Sequence, residues 1–594
     1  MQTSKEAPTV HAAPQAPGDT LVTGLKYQWR MKHSDNDTIR SIAYRHNLSL
    51  PIAHVLYGRG YQDEAAIRSF LFTSFEQDVH CPSGLRGMEP AVKRILLAIE
   101  RKEKILIFGD YDVDGITSSS LALSALLPLG AKINFFLPNR KVDGYGLSKK
   151  AVIRAHQNGY SLIITVDNGI TAHEAAQEAK ARGLDLIITD HHRQHGELPP
   201  ALAVINPNQF DCTYAFKHLA GVGVTFKLVT MIYKELGLGA LPEKTYELLL
   251  LGTVADVVPL LGENRYWVRH GLHTINKQRS NAMITLAQNS NLTKALYNSL
   301  DIGFMIAPQL NALGRLSDPR DAVKFMLSSN LDDVLKIGQV LKDVNEERKR
   351  VDRGIYDEIE RSIINKQIDI DNEYVIVAAS RNWPAGVIGL VAGKLMHSYG
   401  RPTLLFHLDD RDGLAKGSCR SIPEFNIFDA LSEQQHLLLS FGGHSFAAGL
   451  KLKQELLPAL KEGIAASVAA QLTLEQLQPK ITVDAPLQLT DITYKLLSDL
   501  EQLEPFGNAN PQPLFMINDV TLLKPPQLLK DKHVKCMVFS QGIIKPVMFF
   551  YRPDLMPVFQ QLGDKAFTLA AHVSKNEWNG NASIDLHGVD VAVQ

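Results

Sequence analysis

Five short apolar runs constrain this chain more than any other feature. They are KILIFGD (104–110), KINFFLPN (132–139), LIITVDN (162–168), LDLIITD (184–190) and ALAVINP (201–207). Runs this compact, without polar alternation, read as strands buried on both faces. Most are separated by small-residue helical stretches such as SSSLALSALLPLG and TAHEAAQEAKARG. Strands alternating with helices predict a parallel sheet in a doubly wound α/β domain.

The chain has 594 residues, and at about 150 residues per domain that length predicts three to five domains. Residues 1 to about 25 read as a floppy, Pro- and Ala-rich polar tail. Short helical patterns such as AVKRILLAIER precede the first strand. Beyond Arg265 the texture turns helical, and the segment Leu331 to Asn365 contains no proline. Val334, Ile337, Leu341, Val344, Val351, Ile355 and Ile359 form one apolar stripe along it, which predicts a long helix packed on one side and acting as a semi-rigid spacer. A second α/β region starts at EYVIVAAS (373–380). From about 480 short alternating strands appear, including HVKCMVFS, IKPVMFFY, FTLAAHV and ASIDLHGV. They predict a small β-barrel of the OB type.

Lys plus Arg number 62 and Asp plus Glu 63, a formal net charge of −1. That balance excludes a highly basic chromatin-type protein and an acidic disordered one. It neither excludes nor supports a basic groove for nucleic acid. The four cysteines, Cys81, Cys212, Cys419 and Cys536, form no CxxC pair. A disulfide framework and a zinc ribbon are therefore not expected, and a reducing cytoplasm is. The N-terminal residues lack the apolar run of a signal peptide, and no stretch approaches the ~20 apolar residues of a membrane span.

Acidic residues fall where an open parallel sheet builds its ligand crevice, just past the strand ends. Asp110 ends the first run and is followed by Tyr111-Asp112-Val113-Asp114-Gly115. The third run ends Asp167-Asn168-Gly169, and the fourth Asp190-His191-His192. Asp256 lies in the otherwise apolar LLLGTVADVVPL, where an unpaired charge is costly. Singly, each has a plain explanation: Asp-Gly and Asn-Gly make turns, and an Asp after a strand caps the next helix. Together, at least five carboxylates and two imidazoles in one crevice would repel one another without cations. Oxygen donors with imidazole suit Mn²⁺, or Mg²⁺ where few histidines coordinate. Such a cluster can hold two divalent ions for phosphoester hydrolysis.

GDYDVDGITS, TVDNG, TDHH and GTVADVVPL, in that order, resemble the motifs of the DHH phosphoesterase superfamily. RNWPAGVIGLVAGKL (381–395), GSCRSIP (417–423) and FGGHSFAAGL (441–450) resemble its companion DHHA1 domain. EPFGNANPQP (504–513) resembles the junction before the OB-like domain of the superfamily's bacterial single-strand exonucleases. The resemblance implies a flexible tail and lead-in over 1–45 and a DHH domain over 46–275. A helical region with the connecting helix (276–365), a DHHA1 domain (366–472) and an OB-like nucleic-acid-binding domain (473–594) follow.

Carried over by motif, Asp112, Asp114, Asp167, His191 and Asp256 would be the metal ligands, with Asp167 bridging two Mn²⁺ or Mg²⁺ ions. Asp110 and His192 would complete the shell or meet the scissile phosphate, the choice between His191 and His192 being open. Arg140, Arg315, Ser418 and Arg420 would form a pocket for the 5′ end, since guanidinium forks grip phosphate oxygens in two places. His444 would approach the nucleotide backbone or serve a tight turn. Two departures stand out: Pro384 follows Trp383 where many relatives carry a histidine, and Gln309 and Leu313 replace other residues in APQLNALGRL. Lys530, Lys532, Lys535, Lys545, Phe549, Phe550 and Trp578 are barrel candidates for stacking and backbone charge, against an ordinary surface or core role.

The implied activity is two-metal hydrolysis of single-stranded DNA from the 5′ end to 5′-mononucleotides, in repair and recombination. Two α/β domains would face each other across a cleft too narrow for duplex. The implied partners are single-stranded DNA, single-strand-binding protein and a RecQ-like helicase, with no membrane and a monomeric state. Two rival readings are a phosphodiesterase for very short RNA or cyclic dinucleotides, and a non-catalytic DNA scaffold. The length and the barrel argue against the first, and the intact acidic set against the second.

Overall fold

A computed structural model of the chain describes residues 18–139, 143–144, 146–578 and 581–593. The five apolar runs are its first large sheet: β1 (Lys104–Phe108), β2 (Lys132–Phe136), β3 (Leu162–Val166), β4 (Asp185–Thr189) and β5 (Ala203–Ile205). All pair in parallel in the order β2-β1-β3-β4-β5. Alternate residues feed two cores. Ile105, Ile107, Ile164 and Ile187 enter one, and Leu106, Phe108, Ile163 and Ile188 the other. β1, β3, β4 and β5 read as apolar runs because both their faces are covered, whereas the edge strand β2 exposes Lys132 and Asn134. The winding reverses between β1 and β3, so the crevice opens beyond their C-terminal ends.

Helices α1 (Val113–Leu126), α2 (Gly221–Glu235) and α3 (Lys244–Ala255) pack beside this sheet. Pro259 forbids continuation of α3 soon after its end. Next come α4 (Ala307–Leu316) and the 34-residue α5 (Leu331–Ile364). Along α5, Val334, Leu341, Ile355 and Ile359 are buried, as the stripe predicts.

The chain forms two compact units. One comprises Arg68–Glu347 with Leu503–Pro511. The other comprises the described residues up to Ile67, Arg348–Gln502 and the chain from Gln512. The second unit holds a mixed sheet of β6 (Ile376–Ser380), β7 (Thr403–Asp409), β8 (Leu414–Arg420), β9 (Ser440–His444) and β10 (Ala447–Lys453), in the order β9-β10-β8-β7-β6. Helix α6 (Ile388–Tyr399) covers it. Its C-terminal strands form a barrel. Phe515–Leu522, Phe567–Trp578, Asn581–Ala592, Ile543–Phe549 and His533–Ser540 pair in turn, and the last returns to the first.

The expectation of a floppy tail to about residue 25 needs correction. Thr20–Thr23 and Gln28–Met31 form a hairpin, and its second strand pairs in parallel with Lys480–Val483. The cause is tertiary. Trp29 is buried among Val483, Leu514, Met516, Ala570 and Ala592, and its Nε1–H donates to buried Asp590 at 3.0 Å. Among the described residues no helix is long and apolar enough to cross a membrane.

Candidate metal centre

Each acidic residue is presented by the end of a strand or helix. Asp112 is the N-cap of α1, accepting from the Gly115 N–H at 3.0 Å. The capping role foreseen for such an Asp is thus real, and it also fixes the carboxylate at the crevice. Asp114, in the first turn, is buried and accepts from the Gly221 and Val222 N–H groups at 2.6 and 2.7 Å. Those donors open α2, whose dipole favours the anion. Asp167 leaves β3 with φ +62°. Asn168 pins that turn by donating to Phe108 O at 3.1 Å and Val166 O at 2.9 Å. Gly221 is required here: a Cβ on it would lie 2.5 Å from Asp167 Cβ and 2.8 Å from Asp167 Oδ1. Asp256 is the C-cap of α3.

The two histidines part company. His191 Nε2 lies 3.1 Å from Asp167 Oδ1, 3.7 Å from Asp256 Oδ2 and 3.8 Å from Asp114 Oδ2. His192 Nδ1 instead turns to Asp190 Oδ1 at 2.7 Å. Asp190, buried at the end of β4, also accepts from the backbone N–H groups of Ile170, His191 and His192. Three sets of donors gather with their atoms within 4.8 Å of one another: Asp167, His191 and His192; Asp114, His191 and Asp256; Asp110, Asp112 and Asp167. Asp167 and His191 each belong to two sets. Asp190 had no role assigned from sequence. Its place beside the paired histidines at a strand end was the available signal.

Without cations this arrangement is electrostatically unfavourable. Burial, then the charge of Asp112, pushes Asp114 up to about 7 against the helix N–H donors. Burial and the neighbouring carboxylates hold Asp167 and Asp256 well above the ordinary range. Burial, then His192, draws His191 down to about 4. His191 is therefore neutral near pH 7, and its close approach to three acids is not an ion pair, although its distances alone would allow one. Burial opposes charging of His192, but the Asp190 hydrogen bond prevails and lifts it to about 9. Asp167 Oδ1 and Asp256 Oδ2 are buried without a hydrogen-bond partner. Unsatisfied carboxylate oxygens facing a neutral imidazole nitrogen are the donor set of a divalent cation, so the residues fit a metal site.

The expected substrate residues distribute over both units. In the first, α4 lies against the acidic loop: Asn311 Oδ1 accepts from the Val113 N–H at 3.1 Å, and a Cβ on Gly314 would meet Tyr111 O. Arg315 follows directly on that helix. In the second, Ser418 and Arg420 sit on β8, with Arg420 Nη1 donating to Ser418 Oγ at 3.2 Å. A Cβ on Gly389 would lie 2.7 Å from Ser418 Oγ, so the start of α6 closes on the same pair. His444 ends β9, exposed, beside Gly443 with φ +148°. Arg140 and the side chain of Trp578 lie outside the described residues.

Some sequence candidates are structural. Phe549 is fully buried against Gly588 and Phe559, which corrects its place among stacking candidates. Lys530, Lys532 and Lys535 are exposed, Lys545 is half-buried, and Phe550 is exposed. Tyr551, exposed next to Phe550 and edge-on to His533, was missed. Gln309 is a buried packing residue donating to Leu286 O, Ser290 Oγ and Met305 O, and Leu313 is core. These departures leave the acidic crevice untouched.

Residues 104–253 match the family model of the DHH family N-terminal domain, 372–470 that of the DHHA1 domain and 483–590 that of the RecJ OB domain. The chain is 35% identical to the single-stranded-DNA-specific exonuclease RecJ of Bacillus subtilis, over 96% of this chain and 71% of that protein. It is 33% identical to the Escherichia coli RecJ, over 84% of this chain and 89% of the other. The crystal structure of RecJ in complex with Mn²⁺ from Thermus thermophilus is similar at a TM-score of 0.79 and 26% identity, covering 95% of this chain and 79% of that one. With these likenesses added to the crevice and the barrel, the chain belongs to the RecJ family of DHH phosphoesterases.

Proposed function

We propose that this protein is a single-strand-specific exonuclease that removes 5′-mononucleotides from DNA in the 5′→3′ direction. Asp112, Asp114, Asp167, His191 and Asp256 would hold a pair of Mn²⁺ or Mg²⁺ ions, with Asp167 between them. The observation that carries the reading is His191 Nε2 set among three carboxylates, two of them with orphaned oxygens. When bound, paired divalent ions make water nucleophilic near neutral pH and offset charge on the reacting phosphoryl group.

The chain's own groups do the rest. The N–H groups that open α2 fix Asp114, and Asn168 and Gly221 fix Asp167. Asp190 holds Nδ1 of His192, so that its Nε2 is offered to a phosphate oxygen, with Asp110 completing the shell. Arg315, Ser418 and Arg420, with Arg140, would grip the terminal 5′-phosphate, and His444 the adjoining backbone. Exposed Phe550 and the lysines Lys530, Lys532 and Lys535 would hold the incoming strand on the barrel by stacking and charge. Single-strand-binding protein and a RecQ-like helicase as partners, a monomeric state and a cytoplasmic location complete the reading through membership of the family.

The test is release of labelled nucleotide from a long 5′-labelled single strand with Mn²⁺, with chelator, and with Asp112→Ala. Mn²⁺-dependent release abolished by the substitution is expected. DNA binding without release would make the protein a scaffold, and activity confined to dinucleotides would make it a short-substrate phosphodiesterase.

A further inference from the structure

We propose that Asn508, in the EPFGNANPQP segment, is a positioning residue for the metal centre; this rests on the reading of Asp256 as a cation ligand. Asp256 caps α3, and the next residue, Val257, has φ +58°. A β-branched side chain is opposed there by its own Cβ, and glycine is the usual occupant of the position after a helix. Val257 recovers little by packing, since it is 63% exposed.

Beside the Val257 N–H to Val254 O bond at 3.3 Å, Asn508 braces the turn from outside the helix. Its Nδ2–H donates to Val257 O at 2.6 Å, and its backbone carbonyl accepts from the Leu260 N–H at 2.9 Å. Both contacts lie just beyond the bend, so Asn508 fixes where the chain leaves it while the end of α3 fixes where it enters. The strap is itself anchored: Arg265 donates to Leu503 O at 3.0 Å, Arg269 to Glu504 O at 2.9 Å, and Ser299 Oγ to Phe506 O at 2.6 Å. Gly507 packs so closely that a Cβ there would lie 2.6 Å from Leu260 Cδ1. Residues 503–511 belong to the same compact unit as the acidic crevice. Asp256 Oδ2 has no hydrogen bond of its own, so its aim depends on the backbone at the end of α3, which runs straight into this bend. Without the Asn508 amide the exit from the bend is free to shift, Val257 relaxes toward negative φ, and the last turn of α3 frays at its cap, letting the Asp256 carboxylate drift from His191 and Asp114.

The experiment is a double-mutant cycle in the full chain, reading Mn²⁺ affinity by EPR titration, kcat and KM on single-stranded DNA, and thermal unfolding without metal. Asn508→Ala is expected to weaken Mn²⁺ binding by about tenfold, the loss typical when the support of a ligand is removed. The kcat at limiting Mn²⁺ falls in step, while the KM for DNA and the metal-free unfolding temperature hold. In a Val257→Gly background, where the bend carries no strain, the same substitution costs far less. Asn508→Asp, which keeps the shape but loses the donor, repeats the loss should the alanine variant not fold. Wild-type Mn²⁺ affinity in Asn508→Ala, or an equal loss in both backgrounds, overturns the proposal. Asp256→Ala separates the two readings. If it abolishes Mn²⁺-dependent release while Asn508→Ala does nothing, only the brace is wrong; if it leaves release intact, the ligand assignment is wrong.

Discussion

Replacing Gly221 by alanine adds one methyl group at a tight point of the metal centre. The new carbon would lie 2.5 Å from Asp167 Cβ, 2.8 Å from its Cα and 2.8 Å from its Oδ1. Carbon atoms rest about 3.5–4.0 Å apart, so either the Asp167 turn or the start of α2 must retreat by about 1 Å. Both routes damage the site. Moving Asp167 displaces the carboxylate proposed to bridge the ions. Moving α2 takes with it the N–H groups of Gly221 and Val222 that hold Asp114. Overpacking of this kind costs about 1–3 kcal/mol of stability. A 1 Å error in catalytic geometry costs about 100-fold in rate. Gly223, two residues on, is the internal control. A Cβ there comes nearest to Leu219 Cβ and Cδ2, both at 3.3 Å, a milder approach that asks for a shift of a few tenths of an ångström away from the ligands, while alanine gains about 1 kcal/mol in helix propensity. The assay is kcat on 5′-labelled single-stranded DNA at saturating Mn²⁺, with circular dichroism to check folding. Gly221→Ala should be folded and about 100-fold slow, with Gly223→Ala near wild type. A Gly221→Ala enzyme within twofold of wild type would refute the argument that this contact sets the ligand geometry.

Three further outcomes are expected. Mn²⁺ at 100 times its dissociation constant should raise the stability of chelator-treated protein by about 2.7 kcal/mol, and Asp167→Ala should abolish that rise in a thermal-shift titration. Asp590 is fully buried and accepts from the Lys26 and Tyr27 N–H groups and Trp29 Nε1–H, with Arg552 at 3.4 Å. Asp590→Ala should destabilise the second unit by about 3–5 kcal/mol, read by urea unfolding, and free residues 20–31 to protease. His572, held at Nδ1 by Pro513 O at 2.8 Å, has its pKa lowered by burial. Unfolded chains bind the proton more readily, so this histidine's contribution is complete above about pH 6.5 and is lost as pH falls below it. His572→Asn, which keeps a donor without titrating, should flatten the decline of stability between pH 7 and 5.

Much of the architecture could be read from local pattern. The runs at 104–110, 162–168 and 184–190 contain β1, β3 and β4, and each carries an acid at or near its end: Asp110 and Asp167 join the donor sets, and Asp190 holds His192. The stripe from Val334 to Ile359 predicts one helix, and α5 runs from Leu331 to Ile364. These features were legible because burial on two faces, or along one stripe, writes a period into the residues themselves. The hairpin at 20–31 was not, because it is ordered by Trp29 and by Asp590, more than 550 residues further on. Phe549 and Phe550 show a second limit. Phe549 closes its strand facing the core and Phe550 opens the turn that follows, and the sequence does not say where the strand stops. The parting of His191 from His192 is set by the Asp190 carboxylate and the backbone it grips, a local geometry that two adjacent imidazoles do not encode.

The return of residues 503–511 to the first unit has a consequence for the order of biosynthesis. The acids are all translated by residue 256, yet the strap that touches Val257 leaves the ribosome some 250 residues later. A nascent or truncated chain would carry every ligand while its last one stayed loosely aimed. Degradative chemistry would then mature only after the intervening domain had been made, a built-in delay for an enzyme that attacks DNA ends.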